Sequence, residues 1–296
     1  MKRIPLVRVV DRLENATLLD PLAKQARRIV GAALRPRWLR DILHGVPLGH
    51  PVHPLAVQVP LGTWVSAAVL DAVPGTHRAS QTLVGVGVVS ALPSAVAGYA
   101  DWSRLHEQQQ RVGLVHSAAN LIATGLYAAS FIQRSRGKHT SGEVLGYVGL
   151  AVATSGGLLG GHLTYRQAAG VNHTEDVPHL FPQGWHPMGP LDQIAEGRLQ
   201  QRTVEGTTLL VFRRGDRLSV LADTCSHLSA PLHEGAIVDG PRGSADVGPC
   251  VECPWHQSVF SLETGEVVHG PATSAQPKFS TRVNYGIVEV CLWGAG

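Results

Sequence analysis

Between residues 55 and 163 the chain carries four segments almost free of charge, at 55–70, 82–100, 112–132 and 144–163. Three of them run 19 to 21 residues. That is enough helix to cross a hydrocarbon core about 30 Å thick. The first is shorter unless residues 50–54 belong to its start. The alternative is a soluble bundle, buried on every side. Gly85, Gly87, Gly146, Gly149, Gly156 and Gly157 weigh against it. Glycine weakens a soluble helix, whereas small residues let helices approach closely in lipid. The expectation is an all-α bundle of four transmembrane helices over residues 48–171.

The remainder of the 296 residues divides around this block. Residues 1–47 hold ten Lys or Arg against four acids and are broken by Pro21, Pro36 and Pro47. Rough helical periodicity over 6–22 and 22–43 predicts an amphipathic helical extension. It would lie on an anionic membrane surface or stand solvated. Residues 172–184 have no apolar period and contain Pro178 and Pro182, which predicts a linker. From 185 to 296 the pattern becomes β. The runs Thr207-Thr-Leu-Leu-Val-Phe212, Leu218-Ser-Val-Leu-Ala222, Ser258-Val-Phe-Ser-Leu262 and Gly286-Ile-Val-Glu-Val-Cys-Leu292 read as short strands between Gly-, Asp- and Arg-rich turns. A formal charge of +3 gives no basis for a nucleic-acid partner. Four cysteines predict no disulfide framework. No apolar stretch near Met1 reads as a cleavable signal, and residues 29–34 are too short a run to follow Arg27-Arg28 as a twin-arginine leader.

Inside the β region lie Cys225-Ser-His227 and Cys253-Pro-Trp-His256. Together they supply two thiolates and two imidazoles. That set suits a [2Fe–2S] centre with two Cys on one iron and two His on the other. It is also a tetrahedral zinc set, although zinc fingers place both Cys before both His. The surrounding residues resemble the Rieske family. Cys225-Ser-His-Leu-Ser-Ala-Pro-Leu232 is similar to its first ligand loop. Cys253-Pro-Trp-His-Gln-Ser-Val-Phe260, followed by Thr264-Gly265, is similar to its second. Gly270-Pro271-Ala272 resembles its proline-containing shielding loop.

The resemblance covers residues 185–293 and implies a small antiparallel β domain. It implies Cys225 and Cys253 on the buried iron, and His227 and His256 on the outer one. It also implies shielding by Gly270 and Pro271 and a tuning hydrogen bond from Ser258. Two departures are visible. Residues 239–251 read as a surface insertion rich in Gly, Pro, Ser and Asp. The two positions of the family's loop-bridging disulfide are Ala230 and Trp255, which resembles the ferredoxin and oxygenase branch. Cys250 reads as a bystander and Cys291 as a buried strand residue. His233 and His269 read as solvated loop histidines.

The membrane half carries Gly49-His-Pro-Val-His-Pro54, Asp101-Trp102, His116 and Gly160-Gly-His-Leu-Thr-Tyr165. These resemble a family of uncharacterised four-span bacterial membrane proteins, over residues 48–171. Four spans would bring His50, His53, Asp101, His106, His116 and His162 to one membrane face. Intramembrane ionisable groups point to function, here a bound haem or quinone. Arg35, Arg37, Arg40, Arg104, Arg111 and Arg166 flank that face, against Arg78, Arg134, Arg136 and Lys138 on the other. This bias places both termini and the β domain in the cytoplasm, at the cytoplasmic (inner) membrane. The expected function is a membrane-bound one-electron carrier without a substrate-turnover site of its own. Its partners would be a redox protein or the quinone pool, together with membrane lipid. The alternatives are a tethered redox or iron sensor, and a quinol oxidoreductase using the histidine face.

Overall fold

The computed structural model describes residues 5–240 and 248–294. Its helices are α1 (Pro5–Glu14), α2 (Asp20–Ala33), α3 (Arg37–His44), α4 (Val52–Ala56) and α5 (Gln58–Asp71). They continue with α6 (His77–Trp102), α7 (Glu107–Ser135), α8 (His139–Tyr165) and α9 (Val177–Leu180). The chain forms two compact units. One is Met1–Leu39 with Pro51–Ala169, and the other is Arg40–His50 with Gly170–Gly296.

In the first unit α6, α7 and α8 are 26, 29 and 27 residues long, and each is apolar enough to cross a membrane. Only 22–28% of the residues in their apolar windows are buried within the protein. Most of that apolar surface faces outward, as a helix dissolved in lipid requires. The first expected span, at 55–70, is split into α4 and α5. Val57 between them keeps helical dihedrals, with φ −68° and ψ −19°. Pro60, however, has no N–H to give the Ala56 carbonyl, and α4 ends at Ala56.

Trp64 and Tyr127 stack at the centre of this unit, 4.1 Å between ring centroids and 8° from parallel. A Cβ at residue 87 would stand 2.2 Å from Trp64 Nε1, so the indole lies directly against the Gly87 backbone. Of the six glycines singled out above, Gly157 alone has open space around it. At one end Arg134 forks onto Asp71, at 2.7 Å from Nη1 and 2.6 Å from Nη2. Both side chains are buried. Ser130 and Ser80 accept the remaining guanidinium bonds. Arg134 was expected as a flanking charge at the membrane face opposite the termini; the structure buries its side chain against Asp71.

Helices α1 and α2 are fastened to α7 and α8. Arg111 donates from Nε and Nη2 to the two oxygens of Asp20, at 2.6 and 3.0 Å, and from Nη1 to the Glu14 carbonyl. The guanidinium holds the Asp20 carboxyl below its ordinary range. A carboxylate depressed on folding stabilises above its unfolded pKa of about 3.9, and that contribution is lost as pH falls through the lower folded value. Protection of the α2 amides, their exchange relative to an unfolded chain at the same pH, should therefore be high at pH 7 and fall below about pH 4. Asp20→Asn should show the reduced protection already at pH 7. Protection that is unchanged in both cases would remove this role from Asp20.

The second unit is built from β1 (His186–Pro190), β2 (Leu199–Val204), β3 (Thr207–Arg214), β4 (Arg217–Ala222) and β5 (Ala236–Asp239). After these come β6 (Pro249–Glu252), β7 (Val259–Ser261), β8 (Val267–His269), β9 (Lys278–Asn284) and β10 (Ile287–Leu292). They form an antiparallel six-stranded sheet in the order β1-β10-β9-β4-β3-β2 and a four-stranded one in the order β5-β6-β7-β8. Positive φ at Glu205-Gly206 and Tyr285-Gly286 gives the two-residue turns whose twist matches the flanking strands. Strand β3 is buried on both faces, which is why it reads as an unbroken apolar run. Leu210 and Phe212 join one core with Cys225, Cys253 and Phe260. Leu209 and Val211 join another with Phe181, Met188 and Val288.

Two expected loops differ. Residues 172–184 are not a free linker. Phe181 is buried edge-on against Phe279 at 4.8 Å, and the His173 N–H donates to the Ser226 carbonyl at 2.9 Å. One aromatic anchor is enough to dock a stretch that lacks periodicity. The insertion expected at 239–251 is flanked by a strand pair, Asp239 opposite Pro249 and Ile237 opposite Val251. Cys250 and Val251 are fully buried there. Its residues 241–247 lie outside the described residues.

Candidate metal centre

The two ligand segments fold into the same turn. The Cys225 N–H donates to the Ala230 carbonyl at 2.8 Å, and the Ser229 N–H returns to the Cys225 carbonyl at 2.9 Å. The Cys253 N–H donates to the Ser258 carbonyl at 2.8 Å, and the Gln257 N–H to the Cys253 carbonyl at 3.1 Å. In both loops the residue four places after Cys takes positive φ, 61° at Ser229 and 63° at Gln257. A non-glycine residue is held there only when its surroundings over-determine it. Each turn wraps its backbone amides around its own sulfur. The N–H groups of His227 and Leu228 point at Cys225 Sγ, and those of Trp255 and His256 at Cys253 Sγ.

The two sulfurs are hydrogen-bonded to each other. Cys225 donates to Cys253, which draws the Cys253 thiol down to about 7. The same bond, with burial, pushes Cys225 well above the ordinary thiol range. The His227 and His256 rings stand 5.1 Å apart between centroids and 82° from parallel, with both Nδ1 atoms withdrawn from solvent. Among the described residues no three His, Cys, Asp or Glu side chains converge on a single ion. A tetrahedral zinc site needs four. Two irons bridged by sulfide need only two protein ligands each, one pair of sulfurs and one pair of imidazoles. Amides aimed at the sulfurs suit thiolate ligands. The residues present fit a [2Fe–2S] group.

Buried polar anchors hold the loops. The Asp223 carboxylate accepts from the His233 N–H at 2.8 Å, His233 Nδ1 at 2.7 Å and Gln201 Nε2 at 2.9 Å. Ser226 Oγ donates to the Ser274 carbonyl at 2.7 Å. Ser258 Oγ accepts the Ala272 N–H at 2.9 Å, which ties the second ligand loop to Gly270-Pro271-Ala272. His233 and His269 are thus not solvated loop residues. His269 Nδ1 lies 2.8 Å from Asp41 Oδ2, as His233 lies against Asp223. Cys250 faces away from the ligands, its Sγ 3.7 Å from the Gly248 carbonyl, and burial raises its thiol. Asp223, Ser229, Gln257 and Asp41 escaped the reading of the sequence. Only the equal spacing of Ser229 and Gln257 from their cysteines was there to signal two of them.

The expected histidine face is brought together in part. The His53 and His116 rings pack edge to face at 6.4 Å. His53 Nδ1 lies 2.9 Å from the Ser94 carbonyl and His116 Nδ1 2.8 Å from the Gly156 carbonyl. His162 instead meets the Glu14 carboxylate at 2.6 Å. Asp101 sits in the last turn of α6, and His106 caps the start of α7. His50 belongs to the second unit.

A double antiparallel sheet presenting two matched Cys–His loops and a proline loop defines a Rieske-type iron–sulfur domain. Residues 184–280 match the Rieske [2Fe–2S] domain, and residues 49–173 match the predicted membrane protein family DUF2231. The ferredoxin subunit of anthranilate 1,2-dioxygenase from Burkholderia cepacia is 37% identical over 106 residues, which are 36% of this chain and 90% of that protein. The chain therefore belongs to the Rieske [2Fe–2S] family through its last third, and residues 49–173 carry the predicted-membrane-protein domain DUF2231, which with three long apolar helices supports a membrane protein. Cholesterol 7-desaturase of Caenorhabditis elegans is 30% identical over 97 residues, 32% of this chain but only 21% of that protein. The solved ferredoxin of carbazole 1,9a-dioxygenase from Nocardioides aromaticivorans IC177 aligns with 36% of this chain and 97% of its own, at 26% identity and a TM-score of 0.31.

Proposed function

We propose that the protein is a membrane-bound one-electron carrier that serves a redox partner protein from the cytoplasmic face of the inner membrane. The observation that carries this reading is the pair of matched turns, each carrying one Cys and one His, with the two imidazole rings 5.1 Å apart. A bound [2Fe–2S] group supplies the one-electron chemistry. Cys225 and Cys253 would hold the inner iron, inside the apolar core they share with Leu210 and Phe260. His227 and His256 would hold the outer iron. His256 adjoins the half-exposed Trp255, and that edge is where a partner gains access. Gly270 and Pro271 exclude water, and Ser258 fixes their loop. The relative from Burkholderia is by name a subunit of a dioxygenase. A partner of the same kind, an oxidoreductase that draws single electrons, fits this chain.

The purified protein should titrate in the lower half of the Rieske range, roughly −150 to +300 mV. The two positions that resemble those of the family's loop-bridging disulfide are Ala230 and Trp255, which cannot form one. A midpoint near +300 mV would move it to the other branch. For sidedness, fusions at the C-terminus should be active only as cytoplasmic reporters, and fusions at Gly137 only as exported ones. The reverse pattern would change every candidate partner.

A second reading, quinol or haem at the membrane face, is favoured by one observation. The carbonyls of Ser94 and Gly156 only accept, so the Nδ1 atoms of His53 and His116 act as donors and each Nε2 can accept, that of His116 already lying 3.3 Å from Asn120 Nδ2. A Soret band, or quinol-dependent reduction, lost in His116→Ala would support it; neither effect leaves the unit as an anchor.

A further inference from the structure

Residues 40–50 come before the first apolar span and are separated in sequence from the β domain by all of the membrane helices, yet they fold with the β domain. Their contacts fall on the shielding loop. Asp41 Oδ2 takes the Nδ1–H of His269 at 2.8 Å, and Asp41 Oδ1 takes the Gly270 N–H at 3.0 Å. His44 is buried, and a Cβ placed on Gly270 would lie 3.0 Å from Val46 and 3.3 Å from His44. Residue 270 is glycine because this strap passes directly over it. Two residues on, Ala272 is buried in the same core as Cys225 and Cys253, and its N–H is held by Ser258 Oγ. A short run of contacts thus leads from the strap to the ligand loops.

We infer that Asp41 is a positioning residue for the metal centre: its carboxylate clamps the shielding loop and contributes a fixed negative charge beside it. This rests on the electron-carrier reading. The clamp has a chemical logic. A carboxylate offers two acceptor oxygens, and each meets one donor of the loop, a ring N–H and a backbone N–H. The charge opposes addition of an electron nearby, so the clamp also lowers the centre's affinity for electrons.

Asp41→Ala removes both functions, whereas Asp41→Asn removes the charge but keeps an acceptor for the Gly270 N–H, and its amide N–H can donate to His269 in the tautomer whose Nδ1 accepts. In the full-length protein, Asp41→Ala should speed hydrogen exchange at the Gly270 amide and loss of iron to a chelator, each about tenfold. Asp41→Asn should leave both near the parent. It should still shift the one-electron equilibrium toward the reduced form by about tenfold, which is 59 mV for one electron. A merely structural residue would not move that potential. His269→Leu, which takes away one of the two donors and leaves the charge, should speed Gly270 exchange by less than Asp41→Ala and provides the readout if Asp41→Ala does not fold, where unchanged exchange would count against the clamp. Unchanged Gly270 exchange in Asp41→Ala together with an unchanged potential in Asp41→Asn would overturn the inference. Should the parent hold no iron, the electron-carrier reading fails. The clamp is then judged on Gly270 exchange alone, with faster exchange in Asp41→Ala supporting it and no change overturning it.

Discussion

Replacing Cys225 with Ser, or His256 with Ala, should abolish the Rieske electron paramagnetic resonance signal and the bound iron. The parent should hold two irons and two labile sulfides per chain. Serine matches cysteine in size but not in the acidity or softness that binds iron, and alanine at 256 leaves an iron with one protein ligand. Folding itself should survive partly, because Cys225 and Cys253 sit in a core that includes Leu210, Phe212 and Phe260. Cys250→Ser is the matched control. That thiol lies on β6 near the Gly248 carbonyl, away from the other two, so the signal should persist. Stoichiometric zinc without iron in the parent would end the assignment.

The second large effect belongs to the membrane unit. Asp71→Ala should destabilise the bundle by about 3–5 kcal/mol, the cost of leaving a buried charge without its partner. Arg134 would keep its contacts with Ser80 and Ser130, which accept hydrogen bonds but do not neutralise it. Pairing Asp71→Ala with Arg134→Leu should restore most of the loss, since a buried ion pair adds little over an apolar replacement. Thermal unfolding in detergent reads both variants. A single mutant as stable as the parent would show that Arg134 finds water or headgroups instead.

What could be read in the sequence was what lies close along the chain. The ligand pairs span three and four residues, and β3 and β10 announce themselves as apolar runs between turns. Long helices are equally local, since one apolar stretch is one helix. The break at Ala56 was in principle visible as well, because Pro60 marks it. What escaped were partners brought together by folding. Asp41 and His269 are 228 residues apart, and Glu14 and His162 are 148 apart. No spacing rule connects such pairs. A histidine beside a distant carboxylate looks, in sequence, the same as one facing water. Arg134 was misplaced for the same reason, because its partner Asp71 lies 63 residues away.

The strap also counts the crossings. A folded body that includes Arg40–His50 and Gly170–Gly296 occupies one side of a membrane. The chain between its two parts must therefore cross an even number of times. Helices α6, α7 and α8 are three. The kinked pair α4 and α5, Val52 to Asp71, is twenty residues and about 30 Å of helix at 1.5 Å per residue, which makes it the expected fourth crossing. Parity thus requires a crossing from a segment that neither half of it, at five and fourteen residues, has the length to supply. A variant that lost this one crossing would leave Asp41 and His269 in different compartments.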